Sequence, residues 1–325
     1  NSNVNMEDKN QTIAYYVQTA AALNRSIPIP LLIFGTIGNL LNLYILSQKS
    51  LRANSCSFYF LSSTIANLVC LWCGLFTRML SGYSLDPAGI NDIACKFRYF
   101  ITYMALALSA CFLVYASIDR WASSSPNAHI RLFSRIRIAQ RLVIGTVLLS
   151  LFFYGQAFYC YSVSTVQPSV GCTCPNVICR VYNDLLFLIL FSVIPPPLMI
   201  CFGWGTIRNI KKIRQHINPN STINNQQRKS VKKKDRQMVT MLLIQVILFS
   251  ICVTPSGISK GFSVITFNQQ KDSVQLIKEN FFFQVKFEKK QNYYSFFVFT
   301  DFCTYFIHQL LLRLLYLYIS RHDLS

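Results

Sequence analysis

The sequence predicts an all-α membrane protein, a bundle of seven transmembrane helices. Three observations predict it. First, 52% of the 325 residues are apolar and only 13% are charged, whereas a soluble domain is about 25% charged. Second, seven apolar segments, at about 28–46, 57–77, 97–118, 142–161, 184–205, 238–258 and 294–319, have the length of a bilayer crossing, which takes roughly 20 residues of helix for a core of about 30 Å. Third, the basic residues are shared unequally between alternate connections.

Taken in order, the first six segments are plainly apolar, and the seventh carries His308, Gln309 and Arg313. Buried helices of soluble proteins rarely run so long without a polar face. Residues 1–27 form an extracellular N-terminal segment, 28–319 the bundle, and 320–325 a short cytoplasmic tail. No signal-peptide pattern precedes the first span, so that span itself is expected to direct insertion. With the N-terminus outside, the cytoplasmic connections hold 18 Lys and Arg and the outer ones 12, six of these in 260–293 alone. That bias follows the positive-inside rule. Sequons at Asn10 and Asn24 fall on the outer side, as glycosylation requires.

The net charge of +19 does not point to nucleic acid. Its densest run, Arg228 to Arg236, abuts the sixth span and reads as contact with anionic membrane lipid. The four histidines are scattered, with no metal-ligand spacing, and no phosphate-cradling glycine loop occurs. No enzyme and no cofactor is expected.

Several motifs fall on separate spans in a fixed order. Gly38-Asn39 lies in the first and Asn67 in the second, 28 residues on. The third ends in Asp119-Arg120-Trp121, with Cys95 24 residues earlier. Pro195-Pro196-Pro197 interrupts the fifth, and the sixth reads Phe249-Ser250-Ile251-Cys252-Val253-Thr254-Pro255. This set resembles the rhodopsin-like G-protein-coupled receptors, with a texture similar to invertebrate FMRFamide-like neuropeptide receptors. Departures are Asn67 for the family's Asp, Trp121 for Tyr, Val253 for Trp, a fourth span without its Trp, and a seventh without Asn-Pro-x-x-Tyr.

The resemblance implies roles. Asp119, Arg120 and Trp121 would form the switch that meets a heterotrimeric G protein, the two adjacent charges satisfying one another at rest. Phe249, Cys252 and Pro255 would form a helix lever, since a proline inside a helix removes a hydrogen bond and kinks it. Asn39 and Asn67 would be interhelical polar contacts, worth roughly 0.6–2 kcal/mol in membranes. Without the Asp, a strong sodium site is not expected at Asn67. A disulfide would join Cys95 to Cys172, leaving Cys174 and Cys179 as a small second pair; a zinc site there lacks a nearby His. Thr102 stands where amine receptors carry a counter-ion Asp, and 294–319 contains no Lys for retinal. The remaining ligand class is an extracellular peptide, with Thr102, Tyr103, Leu106 and Ser256 lining its cavity, in a multi-pass protein of the plasma membrane. The rival readings are a transporter or channel and a receptor-like product without function. Residues 260–293 are far longer than the 2–8 residues usual between packed helices. Either an unspliced intron or frameshift, or a functional loop (a ligand-gating lid or a short amphipathic helix lying on the headgroups), accounts for that length.

Overall fold

The computed structural model describes residues 24–48, 54–163 and 171–216, with Gln18, Thr19, Ala21, Ala22 and most positions from 246 to 265 besides. Among the described residues, five helices are long and apolar enough to cross a bilayer: Asn24–Leu46, Ser55–Gly82, Asp92–Ser123, Ile136–Cys160 and Val177–Lys212. A sixth helical stretch is described in part between 246 and 265. The 294–319 segment, Asn10, Cys252, Pro255 and Ser256 lie outside the described residues.

The second, third and fifth helices begin where the sequence supplies a cap. The side chains of Asn54, Asn91 and Asn176 accept bonds from Cys56 N, Ile93 N and Ile178 N at 3.0, 2.8 and 2.9 Å. Each satisfies one otherwise orphaned donor, worth about 1 kcal/mol. The first helix bends at Ile27 and restarts at Pro28, where the missing N–H is harmless. The third helix overruns its apolar stretch at both ends. Polar residues extend it outward, with Lys96 pairing Asp92 one turn away at 2.6 Å, a contribution that hydropathy does not register.

This third helix is the axis of the bundle. Of its apolar stretch 56% is buried, against 11% for the fourth helix. Ala105, Ser109, Ala110, Ala116, Ser117 and Ala122 are all buried, and small residues let helices approach closely in lipid. On one side Ala110, Leu113 and Val114 pack with Phe187, Phe191 and Met199 of the fifth helix and Val246, Phe249 and Val253 of the sixth. On the other, Ala116 meets Cys56 and Tyr59 of the second and Ala139 of the fourth. The fourth helix turns Leu148 and Phe152 outward, 62% and 80% exposed, as a lipid-facing helix does.

Among the described residues two helices widen into a π turn, the second over Leu71–Phe76 and the fifth over Leu188–Val193. The fifth has a simple cause. Pro195, Pro196 and Pro197 have no N–H, so three preceding carbonyls lose their helical donors. The chain answers with a longer reach, Ile194 N to Ile189 O at 3.2 Å, and a fresh helical stretch starts at Pro195. The triplet therefore acts as a helix start behind a widened turn.

Gly205 shows how tightly the third and fifth helices meet. A Cβ there would lie 2.6 Å from Trp121 Cδ1, whereas one at Gly145 would meet nothing within 4 Å. Gly205→Ala should lower thermal stability in detergent by the equivalent of about 1–3 kcal/mol, and Gly145→Ala should not.

Candidate functional site

The functional side chains gather at the two ends of the third helix. Cys95 and Asp119 are 24 residues apart on it, about 36 Å at 1.5 Å per residue.

At one end Asp119 is buried. Its Oδ1 accepts from Ser55 Oγ at 2.7 Å and Ser134 Oγ at 2.9 Å. The carboxylate thus joins the start of the second helix, the last turn of the third and the connection beyond it. Arg120 directs its Nε to Cys56 Sγ at 3.0 Å. The hydrogen bonds on Asp119 come from hydroxyls, and the neighbouring Arg120 also attracts the carboxylate through space. Consecutive helical residues point about 100° apart, which is why the two side chains find different partners. The Trp121 ring packs on Phe202 with centroids 5.4 Å apart, and Asn209 Nδ2 donates to Trp121 O at 3.4 Å. Arg120 and Trp121 so face different helices.

Midway, Ser109 Oγ donates to Asn67 Oδ1 at 2.7 Å and lies 3.0 Å from Ser63 Oγ. Asn67 is an interhelical contact. Asn39 instead donates to Gly35 O of its own helix at 2.8 Å, because its amide points along the first helix. Phe249 is fully buried against Phe191, centroids 5.5 Å apart.

At the other end the Cys95–Cys172 disulfide ties the third helix to a short antiparallel hairpin, β1 (Ser162–Val163) with β2 (Cys172–Thr173). Gly171 enters β2 at φ +67°, a conformation that glycine adopts without strain. Cys179 does not pair with Cys174. It bonds to Cys160, Cα to Cα 5.6 Å. Cys160 ends the fourth helix where the fifth begins, and so comes within reach of Cys179, whereas Cys174 remains a free thiol. Burial raises that thiol above its ordinary range. Beneath the hairpin Tyr161 stacks on Tyr99 at 4.0 Å between centroids, and Tyr99 on Tyr103 at 5.9 Å. Lys260 of the sixth helix pairs with buried Asp184 of the fifth at 2.5 Å. Gln156 Nε2 donates to Asn183 Oδ1 at 2.8 Å beside it. The Thr102 hydroxyl is buried without a partner where the second helix approaches at Gly74.

Residues 38–287 match the model of the 7 transmembrane receptor (rhodopsin family). The chain belongs to that family. The receptor is also similar to galanin receptor type 2 of Rattus norvegicus, with 24% identity over 227 residues, 68% of this chain and 57% of the relative. It therefore spans little more than half the length of that curated relative. As a member of this family it is a multi-pass protein of the plasma membrane.

In this receptor Tyr103 packs against both the tyrosine stack and the core of the third, fifth and sixth helices, and Leu106 against that core. Thr102 faces the second helix instead. Sequence reasoning missed Tyr99, Tyr161, Asp184, Lys260 and the Cys160–Cys179 bond. Asp184 was the one recoverable signal, a lone acid at the edge of an apolar span, which in a membrane needs a partner or a purpose. Asn24 is helical, and its Oδ1 accepts from Arg78 Nε at 3.0 Å. A glycan would be attached through Nδ2, which that bond does not use.

Mass spectrometry of unreduced peptides should return Cys95–Cys172 and Cys160–Cys179, with Cys174 alkylated without reductant. Because its pKa is raised, Cys174 carries less thiolate at pH 7 than an ordinary cysteine. Its alkylation should be slower than that of a free thiol and should accelerate as pH rises.

Proposed function

We propose that the protein is a cell-surface receptor for an extracellular peptide and signals through a heterotrimeric G protein, with the disulfide end outside and the Asp119 end in the cytoplasm. The observation that carries this reading is the construction of the disulfide end. A covalently tied hairpin stands over a polar, aromatic cluster drawn from the third, fifth and sixth helices. Disulfides persist in oxidising compartments, which supports an extracellular placement. The opposite end carries Arg131, Arg135, Arg137, Arg141, Arg208, Lys211 and Lys212, which suits the cytoplasmic face. The likeness to a galanin receptor, a peptide receptor, favours the same ligand class. The family is one of receptors, and we assign the chain no catalytic role.

In this reading ligand binding shifts a population between two arrangements a few kcal/mol apart. The core of Phe187, Phe191, Phe249 and Val253 couples the ligand end to helix positions. The family resemblance assigns Pro255 and Cys252 to the helix lever and Ser256 to the ligand cavity; all three lie outside the described residues. Arg120 leaves Cys56 and becomes available to the G protein, while Asp119 keeps the second and third helices joined. The basic connections rest on anionic lipid.

A peptide-library screen in cells expressing the chain, read by calcium and cyclic AMP, tests the reading. A response to amines alone would overturn it. Arg120→Ala should abolish signalling while surface expression and binding of the active peptide persist. Ser55→Ala should leave Asp119 with one fewer donor and, since that bond is kept in both arrangements, lower thermal stability in detergent by about 1.5–3 kcal/mol while ligand-independent signalling stays unchanged.

A further inference from the structure

The connection between the third and fourth helices is both basic and apolar. No Asp or Glu occurs between Arg120 and Asp184, while Arg131, Arg135, Arg137 and Arg141 are all exposed. Leu132 and Phe133 stand exposed among them, Phe133 by 68%. Their backbone is already closed into turns, with Leu132, Phe133 and Ser134 N donating to His129, Ile130 and Arg131 O at 3.2, 3.1 and 3.1 Å. A segment so satisfied can enter the headgroup region without carrying unpaired donors there. The fourth helix fixes its level. Arg137, Arg141, Ile144, Leu148 and Phe152 are exposed at helical spacing, and so form one stripe that passes directly from cation to hydrocarbon. The apolar part of the stripe faces lipid, which puts the arginines at the headgroups with Leu132 and Phe133 beside them.

Ser134 lies inside this segment, between Phe133 and Arg135. Its hydroxyl donates to Asp119 Oδ1 at 2.9 Å and lies 3.2 Å from Ser55 Oγ. Ser55 donates to the same carboxylate, so Ser134 is one member of a clasp rather than the whole of it.

We propose that the segment from Arg131 to Arg141 binds an anionic phospholipid, with the arginines on its phosphate and Leu132 and Phe133 against its acyl chains, and that the lipid steadies the Asp119 clasp through Ser134. This rests on the receptor reading only for the side of the membrane, the cytoplasmic leaflet, where anionic lipid is found. Charge alone would suit an acidic protein equally. The stripe favours lipid, because it carries the arginines straight onto the hydrocarbon face, where a headgroup already stands. Lipid on the arginines and the Ser134–Asp119 bond order the same short segment, so each strengthens the other by the same factor.

Detergent-purified receptor is titrated with phosphatidylserine or phosphatidylcholine and bound lipid is counted by native mass spectrometry. Melting is followed in nanodiscs of each lipid. The wild type should bind phosphatidylserine at least about tenfold more tightly and melt higher in its presence. Arg135→Gln, Arg137→Gln and Arg141→Gln together should weaken that binding at least about thirtyfold, at roughly fivefold for each arginine. Ser134→Ala should weaken it about three- to tenfold, as loss of a hydrogen bond to a charged group does, and should lose part of the gain in melting temperature. Phe133→Trp should add fluorescence, beyond that of the wild type, which brominated acyl chains quench. Equal binding of the two lipids, wild-type binding by the triple variant, added fluorescence that brominated chains leave untouched, or equal competition by soluble glycerophosphoserine overturns the site. Unchanged binding in Ser134→Ala overturns the coupling. None of these measurements uses an agonist or a G protein, so their failure leaves the receptor reading standing, and the peptide screen decides that reading separately.

Discussion

Lipid offers the backbone no hydrogen-bond partner, and the architecture of this protein follows from that constraint. Every peptide group in the apolar layer must be satisfied by its own helix or by a neighbour. Long helices result, and the second, third and fifth open on asparagine caps. The two places where the ladder is disturbed, Leu71–Phe76 and Leu188–Val193, keep their bonds by widening the turn. Both lie next to residues packed toward the disulfide end. Gly74 of the first bulge touches Thr102, and the second follows Asp184 and Phe187. Such bulges are frequent at functional sites, because a widened turn re-aims side chains without opening the backbone to lipid.

Since hydrophobic burial cannot discriminate between helix faces in an apolar solvent, packing and sparse polar contacts decide which faces meet. The third helix wins the central place through its alanines and serines. Its polar residues then fix the neighbours: Asp119 at one end, Ser109 with Asn67 in the middle, Cys95 at the other.

The architecture was legible in the sequence because a membrane span is a long, one-dimensional signal. So was the family, because its motifs keep their spacing across separate spans. The partner of each polar residue was not legible. Asp119 and Arg120 are neighbours in the chain, yet the helical turn sends one to Ser55 and the other to Cys56. Cys174 and Cys179 are close in sequence, yet Cys179 bonds to the end of another helix. Lys260 and Asp184 are 76 residues apart, and nothing local in either span announces the other. Hydropathy reports how deep a residue sits and carries no information on the azimuth at which it faces its neighbours.

The two disulfides among the described residues have a mechanical consequence. Together they rivet the third helix to the hairpin and the fourth helix to the fifth at one end of the bundle, while hydroxyls, a thiol and a tryptophan ring hold the other. A bundle fastened in this way behaves like a pair of tongs with its rivet near the grip. Small rotations beside the fixed end become larger displacements at the free one, and the stroke grows with the length of the arm. The 32 residues of the third helix, longer than a bilayer crossing needs, set that length.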